Sequence, residues 1–166
     1  MYILLIALII LIAVNVAFFG YFGAFAKISV VKETRPSLKL VYQTYQGKYS
    51  KVGPVMNELY AKLIQESGIS PTRGFGLYYD DPRQVAPDQC RAIIGCILDD
   101  IDDEKVAEIA ESFSVVDMPE SEALVAKFPY KGSLSIILGV FRVYRHLLKA
   151  IAAQKVGEGP IMEIYD

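Results

Sequence analysis

The 166-residue chain has no tryptophan, a single histidine, His146, and only two cysteines, Cys90 and Cys96. Three such residues cannot furnish a tetrahedral zinc site, and two cysteines are no disulfide framework, so a reduced compartment fits the chain and neither metal nor cofactor is expected. Neither sign of charge dominates: 17 Lys and Arg stand against 19 Asp and Glu, a net charge of -2. A broad electrostatic grip on nucleic acid is therefore excluded as the main activity, and no direct nucleic-acid contact is expected. No Asn-x-Ser/Thr acceptor occurs, in keeping with a domain on the cytosolic side. No Ser-His-Asp or Cys-His arrangement can be drawn, which argues against nucleophilic catalysis.

Charge is absent altogether from residues 1–26, where only Asn15, Gly20 and Gly23 are not apolar. The remaining 140 residues hold all 36 charged side chains, the mixture of an ordinary soluble domain. The mean hydropathy of +0.32 thus averages two different things, and the predicted organisation is a transmembrane helix over 1–26, a linker over 27–36 and one domain over 37–166. A 26-residue helix is about 39 Å long, enough for a hydrocarbon core of about 30 Å. The rival is a cleaved signal peptide, since Ala24-Phe25-Ala26 has a small-x-small pattern. No Lys or Arg precedes the run, however, and it exceeds a secretory core of roughly 7 to 15 residues, which favours a retained anchor. Lys27, Lys32, Arg35 and Lys39 follow the span against Glu33 alone, so the N-terminus is expected in the lumen and the domain in the cytosol.

Within the domain, a strand is predicted over 38–46, interrupted by Gly47, and an amphipathic helix over 52–64, with Pro54 in its first turn and Gly68 past its end. Strands follow over 75–79 and 91–98, joined through Asp80-Asp81-Pro82. The run Asp99, Asp100, Asp102, Asp103 and Glu104 lacks the spacing and central glycine of a calcium loop and suits the start of a helix over 103–112. Strands over 113–117 and 122–128 precede the longest soluble helix, 134–154, with Ser133 as N-cap and Gly157 beyond its end, and 161–165 reads as a last strand. The predicted fold class is α+β: two β-α-β-β repeats whose helices cover one face of an antiparallel sheet.

Two runs carry a resemblance. Leu77-Tyr78-Tyr79-Asp80-Asp81-Pro82 with Val85, Pro87-Asp88, Cys90-Arg91, Gly95 and Ile97-Leu98 is one; Phe128-Pro129-Tyr130, Leu134-Ser135-Ile136, Arg142-Val143 and Glu163-Ile164-Tyr165 is the other. In this order behind an N-terminal span, they resemble the testis-expressed protein 264 family, which is similar in turn to GyrI-like ligand-binding domains built from two β-α-β-β halves about a pseudo-twofold axis. The resemblance implies a single-pass protein of the endoplasmic reticulum membrane and nuclear envelope, and a receptor or adaptor in selective autophagy of the reticulum (reticulophagy). It also implies partners: ubiquitin-like autophagy modifiers, bound through a C-terminal tail, and a AAA ATPase and protease recruited to topoisomerase-DNA adducts for repair. No such tail is present up to Asp166, nor the edge strand that usually follows, and truncation is expected. Phe113-Ser114-Val115-Val116 and Tyr144-Arg145-His146-Leu147 fit an aromatic-x-x-aliphatic pattern but fall in predicted strand and helix, where an extended peptide cannot dock.

The resemblance places Glu163 at the bottom of a ligand cleft. A carboxylate flanked by Ile161, Met162, Ile164 and Tyr165 is partly desolvated, which raises its proton affinity unless a cationic guest compensates; the alternative is a glutamate alternating out of the sheet. Tyr45, Tyr78, Tyr79, Tyr130 and Tyr144 are candidates for an aromatic lining or, alternatively, core residues with hydrogen-bonded hydroxyls. Arg142, Arg145, His146 and Lys149 recur as one basic helix stripe, which would meet anionic lipid headgroups, a tethered nucleic acid or an acidic partner, or simply water. A small-molecule sensor or weak hydrolase built on Glu163 is the alternative to the receptor, and an adaptor in DNA-adduct repair a third reading.

Overall fold

The computed structural model describes residues 2–154 and 159–166. Its elements are α1 (Tyr2–Tyr21), β1 (Val30–Arg35), β2 (Leu38–Gln46), α2 (Val52–Ser67) after a single 3-10 turn at Tyr49–Lys51, β3 (Arg73–Tyr78), β4 (Arg91–Ile97), α3 (Asp103–Ser112), β5 (Ser114–Met118), β6 (Ser121–Ala126), α4 (Ser133–Gln154) and β7 (Ile161–Tyr165). They form two compact units, one of residues 2–33 with 122–154, the other of 34–121 with 159–166.

The second unit is built on a five-stranded antiparallel sheet in the order β5-β2-β4-β3-β7. Strand alternation divides its side chains between two faces. Val41, Cys96 and Leu98 share one face with Leu63 of α2 and Ile109 of α3, and Val52, Ala92 and Ile94 extend that layer. Leu38, Leu40, Phe75, Leu77 and Ile97 are buried on the other. Helix α2 carries the chain from β2 over β4 to β3, giving the expected β-α-β-β order. It buries Val52, Leu59 and Leu63 and ends at Gly68, whose φ of 72° lets its N–H reach the Ile64 carbonyl at 3.0 Å. The acidic run caps and pairs within this unit. Asp102 caps α3 by accepting from the Lys105 N–H at 2.7 Å, Asp99 pairs with Arg73, and Asp103 with Lys39 at 2.7 Å.

The first unit holds α1, α4 and a two-stranded β1-β6 sheet. Four expectations change here. The apolar helix does not run to Ala26: α1 stops at Tyr21, where Gly23 at φ 94° allows the Ala24 N–H to reach Phe19 O (2.9 Å) and the Gly23 N–H to reach Gly20 O (3.0 Å), a paired C-terminal cap. Residues 30–35, expected as linker, form β1, because a partner strand accepts their β-branched residues and ion pairs join Lys32 to Glu122 (2.7 Å) and Glu33 to Lys127 (3.8 Å). Strand β6, expected in the main sheet as 122–128, pairs with β1 and ends at Ala126, short of Pro129, which has no N–H for a ladder. Helix α4 begins at Ser133, so this residue is its first turn rather than its cap; Ser135 instead accepts the Lys131 N–H at 3.0 Å. Gly157 lies outside the described residues.

Candidate functional site

Strand β7 forms one edge of the five-stranded sheet, with Glu163 opposite Gly76 and Tyr165 opposite Gly74 on β3. Spacing of two puts both side chains on one face, the face of α2, since a Cβ on Gly74 would lie 3.3 Å from Met56 Sδ. The Tyr165 hydroxyl donates to the Glu163 carboxylate. Tyr78 folds back over Gly76, where a Cβ would come within 2.7 Å of the tyrosine hydroxyl. Gly76 thus makes room for the Tyr78 ring, and Gly74 for the Met56 side chain, beside the carboxylate.

Burial, reinforced by the Glu163 charge, pushes the Tyr78 hydroxyl up to about 12 and raises Tyr165 further, so both stay protonated donors at neutral pH. The Tyr49 ring meets Tyr78 edge-on with centroids 4.7 Å apart. Its hydroxyl donates to Arg91 O at 2.8 Å and accepts from the Asp80 N–H at 3.1 Å. Chemically the arrangement is a carboxylate with aromatic walls and hydroxyl donors, suited to holding a flat or cationic group.

The segment between β3 and β4 keeps these rings in place. Asp80 accepts from Arg91 at its backbone N–H (2.7 Å), Nε (3.0 Å) and Nη2 (2.8 Å), and Asp81 accepts from the Arg83 N–H at 2.9 Å and from its guanidinium. Cys90 is fully buried, its Sγ 3.6 Å from Ala86 O. The Asp80-Asp81-Pro82 and Cys90-Arg91 motifs are therefore the strap of a turn. The arginines hold both carboxyls below the usual aspartate range. Because the folded values are depressed, the stabilisation is present above the unfolded value of about 3.9 and is lost as pH falls from there through the folded values. Thermal unfolding followed against pH will show the midpoint dropping below about pH 4, with a shallower drop in Asp80→Asn; an unchanged slope would remove Asp80 from the strap.

The remaining candidates lie elsewhere. Tyr45 packs with the Val52, Ala92 and Ile94 layer and donates to Lys48 O at 2.9 Å, a role in core and turn. Tyr79 is exposed. Tyr130, exposed, and Tyr144, half-buried on α4, belong to the other unit. The basic stripe divides: Arg145, His146 and Lys149 are exposed, whereas Arg142 is half-buried, donates to Gly23 O and Ala26 O (the latter at 2.8 Å) and stands 5.9 Å from the Phe128 ring. Its carbonyl lies 2.7 Å from His146 Nδ1. Tyr49 and the paired glycines were missed as site members. The available signal was Gly74-x-Gly76 in one strand facing Glu163-x-Tyr165 in another.

Residues 29–166 match the GyrI-like small molecule binding domain. The chain belongs to that family. It is 32% identical over 159 residues to testis-expressed protein 264 of Homo sapiens, covering 90% of this chain and 48% of that protein. It is 29% identical over 158 residues to the Mus musculus homolog, covering 90% and 49%. The chain spans about half the length of these relatives. Among solved structures, that of SAV2435 bound to tetraphenylphosphonium is similar with a TM-score of 0.49 and 16% identity, covering 83% of each chain.

Proposed function

We propose that the protein is a membrane-anchored receptor or adaptor for selective autophagy of the endoplasmic reticulum, with α1 as anchor, its N-terminus in the lumen and the GyrI-like domain in the cytosol as binding platform. One observation carries the reading. A 20-residue helix of hydropathy 3.0, entirely outside any protein core, precedes a domain related over 90% of the chain to testis-expressed protein 264. Ubiquitin-like autophagy modifiers are the expected partners, bound outside the folded domain. Recruitment of a AAA ATPase and protease to DNA adducts at the nuclear envelope is the alternative use of the platform. The test is fractionation of tagged full-length protein, with starvation-driven turnover of the reticulum measured with and without the gene. The expected result is resistance to alkaline extraction, a protease-protected N-terminus and slower turnover without the gene. Release by alkali, or unchanged turnover, would refute it.

The carboxylate hydrogen-bonded by Tyr165 supports a second reading, a small-molecule sensor at Glu163. Substituting Gln keeps the shape and removes the charge, so Glu163→Gln in the full chain lowers affinity for benzyltrimethylammonium about tenfold, measured by calorimetry. Equal affinity withdraws the sensor, and equal hydrolysis of strained esters by the variant withdraws the hydrolase.

A further inference from the structure

One surface is left over by both readings. Helix α4 exposes Ile137 (53%), Val140, Phe141 (75%) and Leu148. Positions 137, 141 and 148 fall at helical spacings of four and seven, so they form one ridge. Beside it stand Arg145 and Lys149, and no acidic residue occurs anywhere in the 22 residues of the helix. An apolar ridge bordered by lysine and arginine is the composition of helices that lie in a membrane interface.

The position of the helix says which surface it meets. At about 1.5 Å per residue, the 20 residues of α1 measure about 30 Å, the thickness of a hydrocarbon core. Residues 21–26 then stand at headgroup level. Helix α4 is bonded to that level directly: Ser135 donates to Phe22 O at 3.2 Å and Arg142 to Gly23 O and Ala26 O, while Lys131 Nζ, just before the helix, stands 5.9 Å from the Tyr21 ring centroid. Phe141 adjoins Arg142 in the chain. The exposed aromatics Tyr21, Phe25 and Tyr130 belong to the same zone, where amphipathic rings gather in membrane proteins.

We infer that α4 docks on the bilayer beside the exit of α1, its Ile137-Phe141-Leu148 ridge sunk below the headgroups and Arg145 and Lys149 against anionic lipid. The inference rests on the reading of α1 as a membrane span.

The full chain, reconstituted in phosphatidylcholine-phosphatidylserine vesicles, tests this. Cys90 and Cys96 are 0% and 2% exposed, so a fluorophore can be placed on a new cysteine alone, Val140→Cys beside the ridge or Leu11→Cys within α1. Both labels are expected to be quenched by nitroxide-bearing lipid. Ile137→Asp with Phe141→Asp, both on exposed positions, removes the quenching at 140 and leaves it at 11. Removing the charges of Arg145 and Lys149 weakens docking about fivefold per charge on anionic vesicles and little on phosphatidylcholine alone. Quenching at 11 with only aqueous iodide reaching 140 overturns the docking and leaves the span. Lipid quenching at neither site overturns both. A label at 140 sheltered from both quenchers means that a protein covers the ridge, and also overturns the docking.

Discussion

Replacing Gly95 by alanine will break the five-stranded sheet. Gly95 sits in the middle strand, paired with Tyr42 on one side and Phe75 on the other. A Cβ there would lie 1.9 Å from Val41 O and 2.9 Å from Tyr42 Cα. These are main-chain atoms, so no side-chain rotamer relieves the clash, and β2 must separate from β4. Its neighbours Ile94 and Cys96 are buried on the helix-covered face, at 0% and 2% exposure, so the separation opens the core between sheet and helices. Overpacking that side chains can absorb costs about 1–3 kcal/mol; here the loss is about 3 kcal/mol or more, a large part of the roughly 5–15 kcal/mol that holds a domain. Gly53 is the contrasting case. Nothing lies within 4 Å of a Cβ at Gly53, in the first turn of α2, and Gly53→Ala gains helix propensity worth up to about 1 kcal/mol. Denaturant midpoints should therefore move in opposite directions for the two variants. A Gly95→Ala protein melting at the wild-type midpoint would refute the close approach.

How far the sequence revealed this depends on whether a residue's partner is near in the chain. Helix α2 was legible because Val52, Leu59 and Leu63 repeat at helical spacing and Gly68 supplies its own stop. Likewise, Asp102 could be read as serving the start of α3, since its partner Lys105 is three residues away. Strand β1 was not legible, because Lys32, Glu33 and Thr34 before Pro36 read as linker until Glu122 and Lys127 stand opposite. At the candidate site, Glu163 and Tyr165 share a face by simple alternation. That Tyr78 turns across Gly76 to join them depends on the register of β3 against β7, which alternation alone does not state. The basic stripe misled for a related reason. Side-chain spacing groups Arg142 with Arg145, His146 and Lys149, but its partners are backbone carbonyls 119 and 116 residues away, and no pattern of side chains shows a carbonyl.

That distant pairing makes Arg142 the position whose loss most affects the first unit. Its guanidinium satisfies Gly23 O and Ala26 O just past the end of α1, while Ser135 takes Phe22 O. Phe128 fills the space between: a Cβ on Gly23 would stand 2.8 Å from its ring, and one on Gly139 3.3 Å. The phenylalanine thus wedges where α4 meets the turn, with the Arg142 cation near its face. A cation beside the C-terminal carbonyls also opposes the negative end of the helix dipole. Arg142→Met keeps the length of the side chain and removes all its donors, leaving two carbonyls without their charged partner at a cost of about 2–3 kcal/mol. Arg142→Lys retains the charge as a single point without the planar fork, so it holds one carbonyl and loses about half as much. Hydrogen exchange on the full chain in a bilayer is the direct readout, because local opening of the clasp is what exchange measures. The Met variant should lose about a hundredfold protection at the Ala26 N–H, which donates to Gly23 O, and in the first turns of α4, while β4 keeps its protection. Equal protection at residues 22–26 in wild type and Met variant would show that the turn holds without the arginine, and that Phe128 and the Gly23 cap suffice to end the helix.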